Sequence, residues 1–311
     1  MSDKAMTPMS SADLVQGDIS ALAEEWMERW LKELDVRQTT KRAYRQAVIR
    51  FLEWTRGAGA STAVEFKEAL QAEGLAAHTV GVYLTGLRRF CAWCVERGLL
   101  PYNPVENVKA PEKPRGHLRD APTDDELRRV LAQVDRSTLA GMRNFAMLSL
   151  MYRCGLRTVE VVRADVDDVR PKDGEVVLWV QGKGRADKDE FVVLTGETYN
   201  AVMDYLTARQ AQPGEPLFVG EGNRNRGRLT TRSVRRMVNR YFKAAGVWRP
   251  GLSAHSLRHY AATAALKAGA HPLQVQQMMR HRRFETTQAY IHDLGRIANA
   301  AERFVPQLGS A

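Results

Sequence analysis

The residues with the most chemistry lie between His255 and His292, a stretch holding five of the seven histidines, two Arg/His pairs and Tyr290. His255 and Arg258 are three residues apart, so on a helix they share a face and converge on one small ligand. Ser253 stands where an N-cap belongs, and the first-turn N–H groups behind it add donors for an anion. Arg258 brings a rigid fork of donors that matches two phosphate oxygens. Arg280 and His281 form the second pair, and Tyr290 follows beyond Thr286 and Thr287, which suit the start of a short helix. A phenol titrates near pH ~10, so Tyr290 attacks only where cations hold its oxyanion. The combination is a phosphate site with a phenol beside it.

Two groups upstream fit the same site. Arg157, in Cys154-Gly-Leu-Arg157-Thr-Val-Glu160, follows a glycine able to stop an apolar helix expected over 141–152. Glu160 is spaced to orient it, although an Arg–Glu neighbour pair taken alone reads as a surface ion pair worth little. Lys183 lies between glycines at the start of a hairpin that joins expected strands over 175–181 and 190–194. It is a mobile ammonium on a β-loop. The Gly-Lys-Gly triplet lacks the spacing of a phosphate-binding P-loop and does not run into a helix.

The elements that must position these groups are mostly helical. Residues 1–17 form a polar tail. Helices are expected over 19–34 (Leu22, Trp26, Trp30 inward), from 39 or 40 to 54 (Tyr44, Val48, Phe51), from the capping-box pattern Thr62-x-x-Glu65 to Gly74, and over 78–97 (Val80, Tyr83, Leu84, Leu87, Cys91, Cys94). These make an all-α four-helix domain over 18–104. Five of the twelve prolines (Pro101, Pro104, Pro111, Pro114, Pro122) then mark a linker over 105–121. A second domain over 122–311 opens with a second capping box, Thr123-x-x-Glu126, and is mainly helical with a small antiparallel sheet. The expected fold is mostly α in two domains, an α domain followed by an α+β one, the jointed form needed to close on a duplex.

Charge points to a polyanion. Lys and Arg number 46 against 36 Asp and Glu, a net charge of +10. Candidate phosphate contacts are Lys41, Arg42 and Arg45 on the second helix, with Arg50 nearby, and Arg88 and Arg89 on the fourth. The strongest footprint runs from Arg224 to Lys243 without an acid. Arg224, Arg226 and Arg228 are expected on a loop, and Arg232, Arg235 and Arg236 on a helix whose Val234, Met237, Val238 and Tyr241 face inward. No apolar run approaches the ~20 residues of a membrane span, and the N-terminus is too polar for a signal peptide. The expected setting is soluble and cytoplasmic. Three cysteines argue against a disulfide framework, and Cys91 and Cys94 read as small residues on a buried helix face.

In order and spacing, Arg157, Lys183, His255-x-x-Arg258, His281 and Tyr290 resemble the tyrosine recombinase (phage integrase) family, and in architecture its short Xer-like members. Gly-Leu-Arg157-x-x-Glu160, Gly-Lys183-Gly, His255-x-Leu-Arg258-His259-x-x-Ala-Thr, and His281 followed by Thr286-Thr287 and Tyr290-x-His292 match the family's boxes. The resemblance covers nearly the whole chain from about residue 19. Cys154 departs from the family's usual Thr, and Arg280 from its usual small residue.

The resemblance implies a SAM-like core-binding domain and a nucleophilic Tyr290 that forms a 3′-phosphotyrosine and frees a 5′-hydroxyl. It implies Arg157 and Arg258 on the nonbridging oxygens, Lys183 as general acid, and His255 and His281 in hydrogen bonding or proton transfer. Exchange would pass through a Holliday junction in a tetramer on paired sites of double-stranded DNA, with one kind of subunit or two. Because the phosphotyrosine conserves the bond energy, neither ATP, metal nor another cofactor is implied. The tail, with Ile297, Ala301, Phe304 and Val305 at helical spacing, resembles a helix that docks on a neighbouring subunit; docking on its own domain is the alternative. Three other readings exist. A zinc hydrolase built on His255 and His259 is disfavoured, because Arg258 would repel the metal and no acid lies between them. A non-catalytic DNA-binding architectural protein would leave the site residues unused. A type IB topoisomerase shares the nucleophile and acts as a monomer without paired sites.

Overall fold

The computed structural model describes residues 19–58, 63–112, 120–182, 187–220 and 227–293. They fall into two compact units that divide near residue 116. The first contains α1 (Ile19–Glu33), α2 (Gln38–Ala58), α3 (Ala63–Ala72) and α4 (Ala77–Glu96). Trp30 is its hub: it is buried, stacks on Tyr44 at 6.0 Å and tilts against Phe90 at 5.4 Å. Such aromatic pairs add to the area they bury. Helices α2 and α4 cross so closely that a Cβ at Gly86 would stand 2.8 Å from Cδ1 of Tyr44. The polar tail and the Thr62 cap lie outside the described residues.

The basic faces of this unit are more tied down than the sequence suggests. Arg88, expected on the surface, donates to the carbonyls of Val105, Glu106 and Val108. It fastens the chain after α4 against the unit, and Val105 and Val108 are buried in the same core. Its Nε and Nη2 are thus engaged with backbone carbonyls in this arrangement. Arg45 pairs with Glu28, and Arg50 with Glu73. The acids come from distant segments, which an acid-free run along α2 does not reveal. Arg42 is exposed, Lys41 is half-buried, and exposed Arg89 lies 6.0 Å from the Tyr44 ring centroid.

The second unit contains α5 (Asp124–Ala132), α6 (Leu139–Tyr152), α7 (Thr158–Arg163), β1 (Val169–Lys172), β2 (Glu175–Val180), β3 (Glu190–Val193), α8 (Gly196–Ala208), α9 (Thr231–Ala244), α10 (Ala254–Lys267), α11 (Pro272–Met279) and α12 (Glu285–Asp293). The capping box of α5 forms in both directions, Thr123 N–H to Glu126 at 2.9 Å and Glu126 N–H to the Thr123 hydroxyl at 3.2 Å. Helix α6 is apolar nearly all round and is the central helix, packed by α8 and α10. The strands form an antiparallel sheet in the order β1-β2-β3, with Val169 opposite Leu178 and Val177 opposite Val193.

Two strands were expected here, and β1 is a third. Its Val-Arg-Pro-Lys shows no alternation, and Pro171 is tolerated because β1 is an edge. Helix α9 buries Val234, Met237, Val238 and Tyr241 and exposes Arg232, Arg235 and Arg236. Arg228 differs from expectation: it donates to the carbonyls of Val162 (2.9 Å) and Ala164 (3.1 Å) and pairs with Asp165. It ties the end of α7 to the segment before α9. Arg224 and Arg226 lie outside the described residues. Among the described residues no helix is long and apolar enough to cross a membrane.

Candidate active site

The buried carboxylate of Glu160 is the centre around which the cationic groups gather. Helix α6 ends and the chain turns at Gly155, whose φ of +62° and whose contact with Met279 Sδ, 2.6 Å from where a Cβ would stand, leave room only for glycine. The turn sets Arg157 as N-cap of α7. Its backbone N–H and its Nη1 donate to the two oxygens of Glu160 at 2.8 and 2.7 Å. The Arg157 side chain stays 25% exposed while Glu160 is wholly buried. The pair therefore has one face in the core and one at the surface, unlike the solvated surface pair its spacing suggests.

Arg258 reaches the same place from α10 and is almost fully buried. It donates to the carbonyls of Gly155 and Met279, and its Nη1 lies 3.9 Å from Glu160. Burial pulls its pKa down, as do the guanidiniums of Arg157 and Arg280; Glu160 and the Tyr290 phenol oppose the shift. Glu160 is a carboxylate that burial would raise, but Arg280, Arg157 and Arg258 hold it below its ordinary range. Arg280 closes α11 in the left-handed region, at φ 52° and ψ 49°, a conformation costing roughly 1–2 kcal/mol for a residue with a Cβ. Its Nη2 donates to Glu160 at 2.7 Å and to the Gly155 carbonyl at 3.3 Å.

His281 follows, its Nδ1 2.9 Å from the hydroxyl of buried Thr287, which lies three residues before Tyr290 on α12. Tyr290, on α12, is 4% exposed and packs with Ala262, Val275 and Met279. Its ring lies parallel to His281 at 6.1 Å and tilted against His259 at 5.2 Å; His259 in turn meets His255 edge-on at 5.0 Å. Arg157, His255, Arg258, His281 and Tyr290 are thus drawn together from α7, α10, α11 and α12. Lys183 lies outside the described residues, but Gly182, the residue before it, lines a cavity of about 350 Å³ with Arg157, Glu190, Arg280, His281, Arg282, Arg283 and Thr286.

Residues 122–295 match the Phage integrase family. The chain belongs to the phage integrase family. The tyrosine recombinase XerC of Neisseria meningitidis serogroup B is 30% identical over 88% of this chain and 90% of its own length. The tyrosine recombinase XerD of Listeria monocytogenes is 30% identical over 75% of this chain and 77% of its own. The fold is that of the XerH site-specific recombinase in a post-cleavage complex with palindromic difH substrate, with a TM-score of 0.73 at 18% identity over 96% of this chain and 98% of that one. This integrase-family chain is a tyrosine site-specific recombinase, and neither the architectural protein nor the type IB topoisomerase is favoured.

The family's boxes did not point to Arg282, Arg283 or the packing of His259 on Tyr290. The local signal for the arginines is the run Arg280-His-Arg-Arg283 just before α12. The site also makes a prediction about protons. Burial, then the guanidiniums of Arg258, Arg157 and Arg280, hold the His281 imidazole down to about 3. A folded pKa below the unfolded one means that the neutral ring's contribution to stability is full above the ordinary histidine range, near pH ~6.5. That contribution is lost as pH falls toward about 3. A DNA phosphate held by Arg157 and Arg258 is expected to offset the guanidiniums' repulsion and to raise the histidine's pKa. Binding of DNA at mildly acidic pH is therefore expected to take up a fraction of a proton per subunit, read by calorimetry in buffers of different ionisation enthalpy. A His281→Asn variant should lose that uptake.

Proposed function

We propose that this recombinase cleaves DNA by attack of the Tyr290 oxygen on a phosphodiester. The Tyr290–phosphorus bond forms, the phosphorus–O5′ bond breaks, and a 3′-phosphotyrosine and a 5′-hydroxyl result. Arg157 and Arg258 hold the nonbridging oxygens as negative charge builds, the kind of stabilisation that is usually the largest contribution in such sites. His281 and His255 donate hydrogen bonds or pass the phenol's proton, and Lys183 protonates the departing O5′. Glu160 orients Arg157. Reversal by another strand's 5′-hydroxyl gives exchange through a Holliday junction without ATP or a cofactor. The observation carrying this reading is the convergence of Arg157, Arg258 and His281 beside Tyr290, with Arg157 partly open to an arginine-rich cavity that Glu190 also lines.

The first unit, over 18–104, is proposed to track the duplex backbone with Lys41, Arg42 and Arg89. The joint falls within 105–121, past Val108, which packs into the first unit, and 122–311 carries the chemistry, with exposed Arg232, Arg235 and Arg236 on α9 as phosphate contacts. The working assembly is a tetramer on paired sites, of one subunit or two kinds, acting on the nucleoid in the cytoplasm. The test is a nicked suicide substrate incubated with the protein in EDTA. A covalent adduct should form at full rate, map to Tyr290 by mass spectrometry, and carry DNA joined through its 3′ end. Adduct joined through a 5′ end, or mapped to another residue, would overturn the reading.

A further inference from the structure

Arg280 is set apart by three observations. It takes a backbone conformation that side chains rarely adopt, at the C-cap just past Met279 of α11. Its side chain is 2% exposed. Each end of its guanidinium is occupied: Nη1 donates to the Met278 carbonyl, and Nη2 donates to Glu160 and the Gly155 carbonyl. These donors are spent on protein acceptors, although Arg280 also lines the cavity that Arg157 and His281 line. The carboxylate it holds, however, also holds both the backbone N–H and the Nη1 of Arg157, and the Gly155 carbonyl it shares is the one Arg258 uses.

We infer that Arg280 is a positioning residue for strand cleavage: it locks Glu160 and the Gly155 carbonyl, and through them fixes where Arg157 and Arg258 present their guanidiniums. The inference rests on the proposed phosphate clamp. It explains why a strained, buried arginine stands where a small residue would suffice for the backbone. Glycine suits the left-handed region, so Arg280→Gly keeps the helix end while removing the lock.

Single-turnover adduct formation at saturating DNA tests this with Arg280→Gly, Glu160→Gln and the double variant. Arg280→Gly should lower the cleavage rate roughly 10- to 100-fold, the scale of a misplaced site group, with the DNA Kd changed less than about threefold. If Arg280 acts through Glu160, the double variant should be no slower than the slower single one. Arg280→Lys should recover only part of the rate, because one ammonium cannot serve a carboxylate and two carbonyls at once. A pH profile adds a readout that simple destabilisation would not move. The charged groups facing Glu160 are Arg157 from the turn before α7, Arg258 from α10 and Arg280 from the end of α11. With Arg280 gone, Glu160 protonates at higher pH, and the acid limb of the rate should move up.

Wild-type cleavage by Arg280→Gly overturns the inference, as do rate losses that multiply in the double variant. An Arg157→Ala variant keeps the two readings apart. If it cleaves normally, the clamp itself fails; if it is dead while Arg280→Gly is fully active, only the role of Arg280 fails. Should Arg280→Gly not fold, Arg280→Lys decides, since full activity there contradicts the need for a fork of donors.

Discussion

A Tyr290→Phe chain is expected to bind DNA as tightly as the wild type and to form no covalent adduct. The substitution removes one oxygen and leaves the ring, which packs against Ala262, Val275 and Met279 and lies parallel to His281. The fold is therefore retained, and the lost hydroxyl costs on the order of 1 kcal/mol of stability. The rate loss should be at least ~10⁴-fold, since removing the nucleophile of a well-studied serine hydrolase costs about 10⁶-fold. A gel that separates covalent from free protein gives the first number, and a mobility shift gives the second. Adduct from the Phe variant would show that another oxygen does the chemistry. Wild type that binds but never forms adduct would return the chain to the class of architectural DNA-binding proteins.

Legibility in the sequence followed how local each interaction is. The capping box of α5 and the inward stripe of α9 depend on residues three or four apart, and both form as expected. The residue types of the site were readable because their spacing matches the family's boxes. The surroundings were not. Arg88, Arg45 and Arg228 look like free cations along the chain, but their partners come from other elements. Helix α7 has six residues and α11 eight, too short for a clear periodicity, and β1 has only four. Glu160 is legible only in part: its spacing points to the orientation of Arg157, but not to its burial. Three residues from Arg157 it looks like half of a surface pair, and only the approach of α10 and the end of α11 buries it among three guanidiniums.

That burial gives the second large effect, on stability. Glu160→Ala is expected to destabilise the second unit by about 3–5 kcal/mol, the range for removing one partner from a buried ionic cluster. The loss comes less from the missing attraction than from what is left behind. Arg258 and Arg280 remain buried, Arg157 loses its acceptor, and the carboxylate that all three guanidiniums share is gone. Glu160→Gln should fare only somewhat better, because its amide N–H₂ would face donors where a carboxylate oxygen now accepts. The pH dependence separates this from a packing defect. The folded carboxyl is held below its ordinary range, so its contribution is complete above the unfolded value, near pH ~4.3. It is lost as pH falls through the lower folded value. Urea titrations should therefore show wild type and Glu160→Ala far apart at pH 7 and converging in acid. A gap that stays constant with pH would mean that the side chain's volume, and not its charge, stabilises the unit.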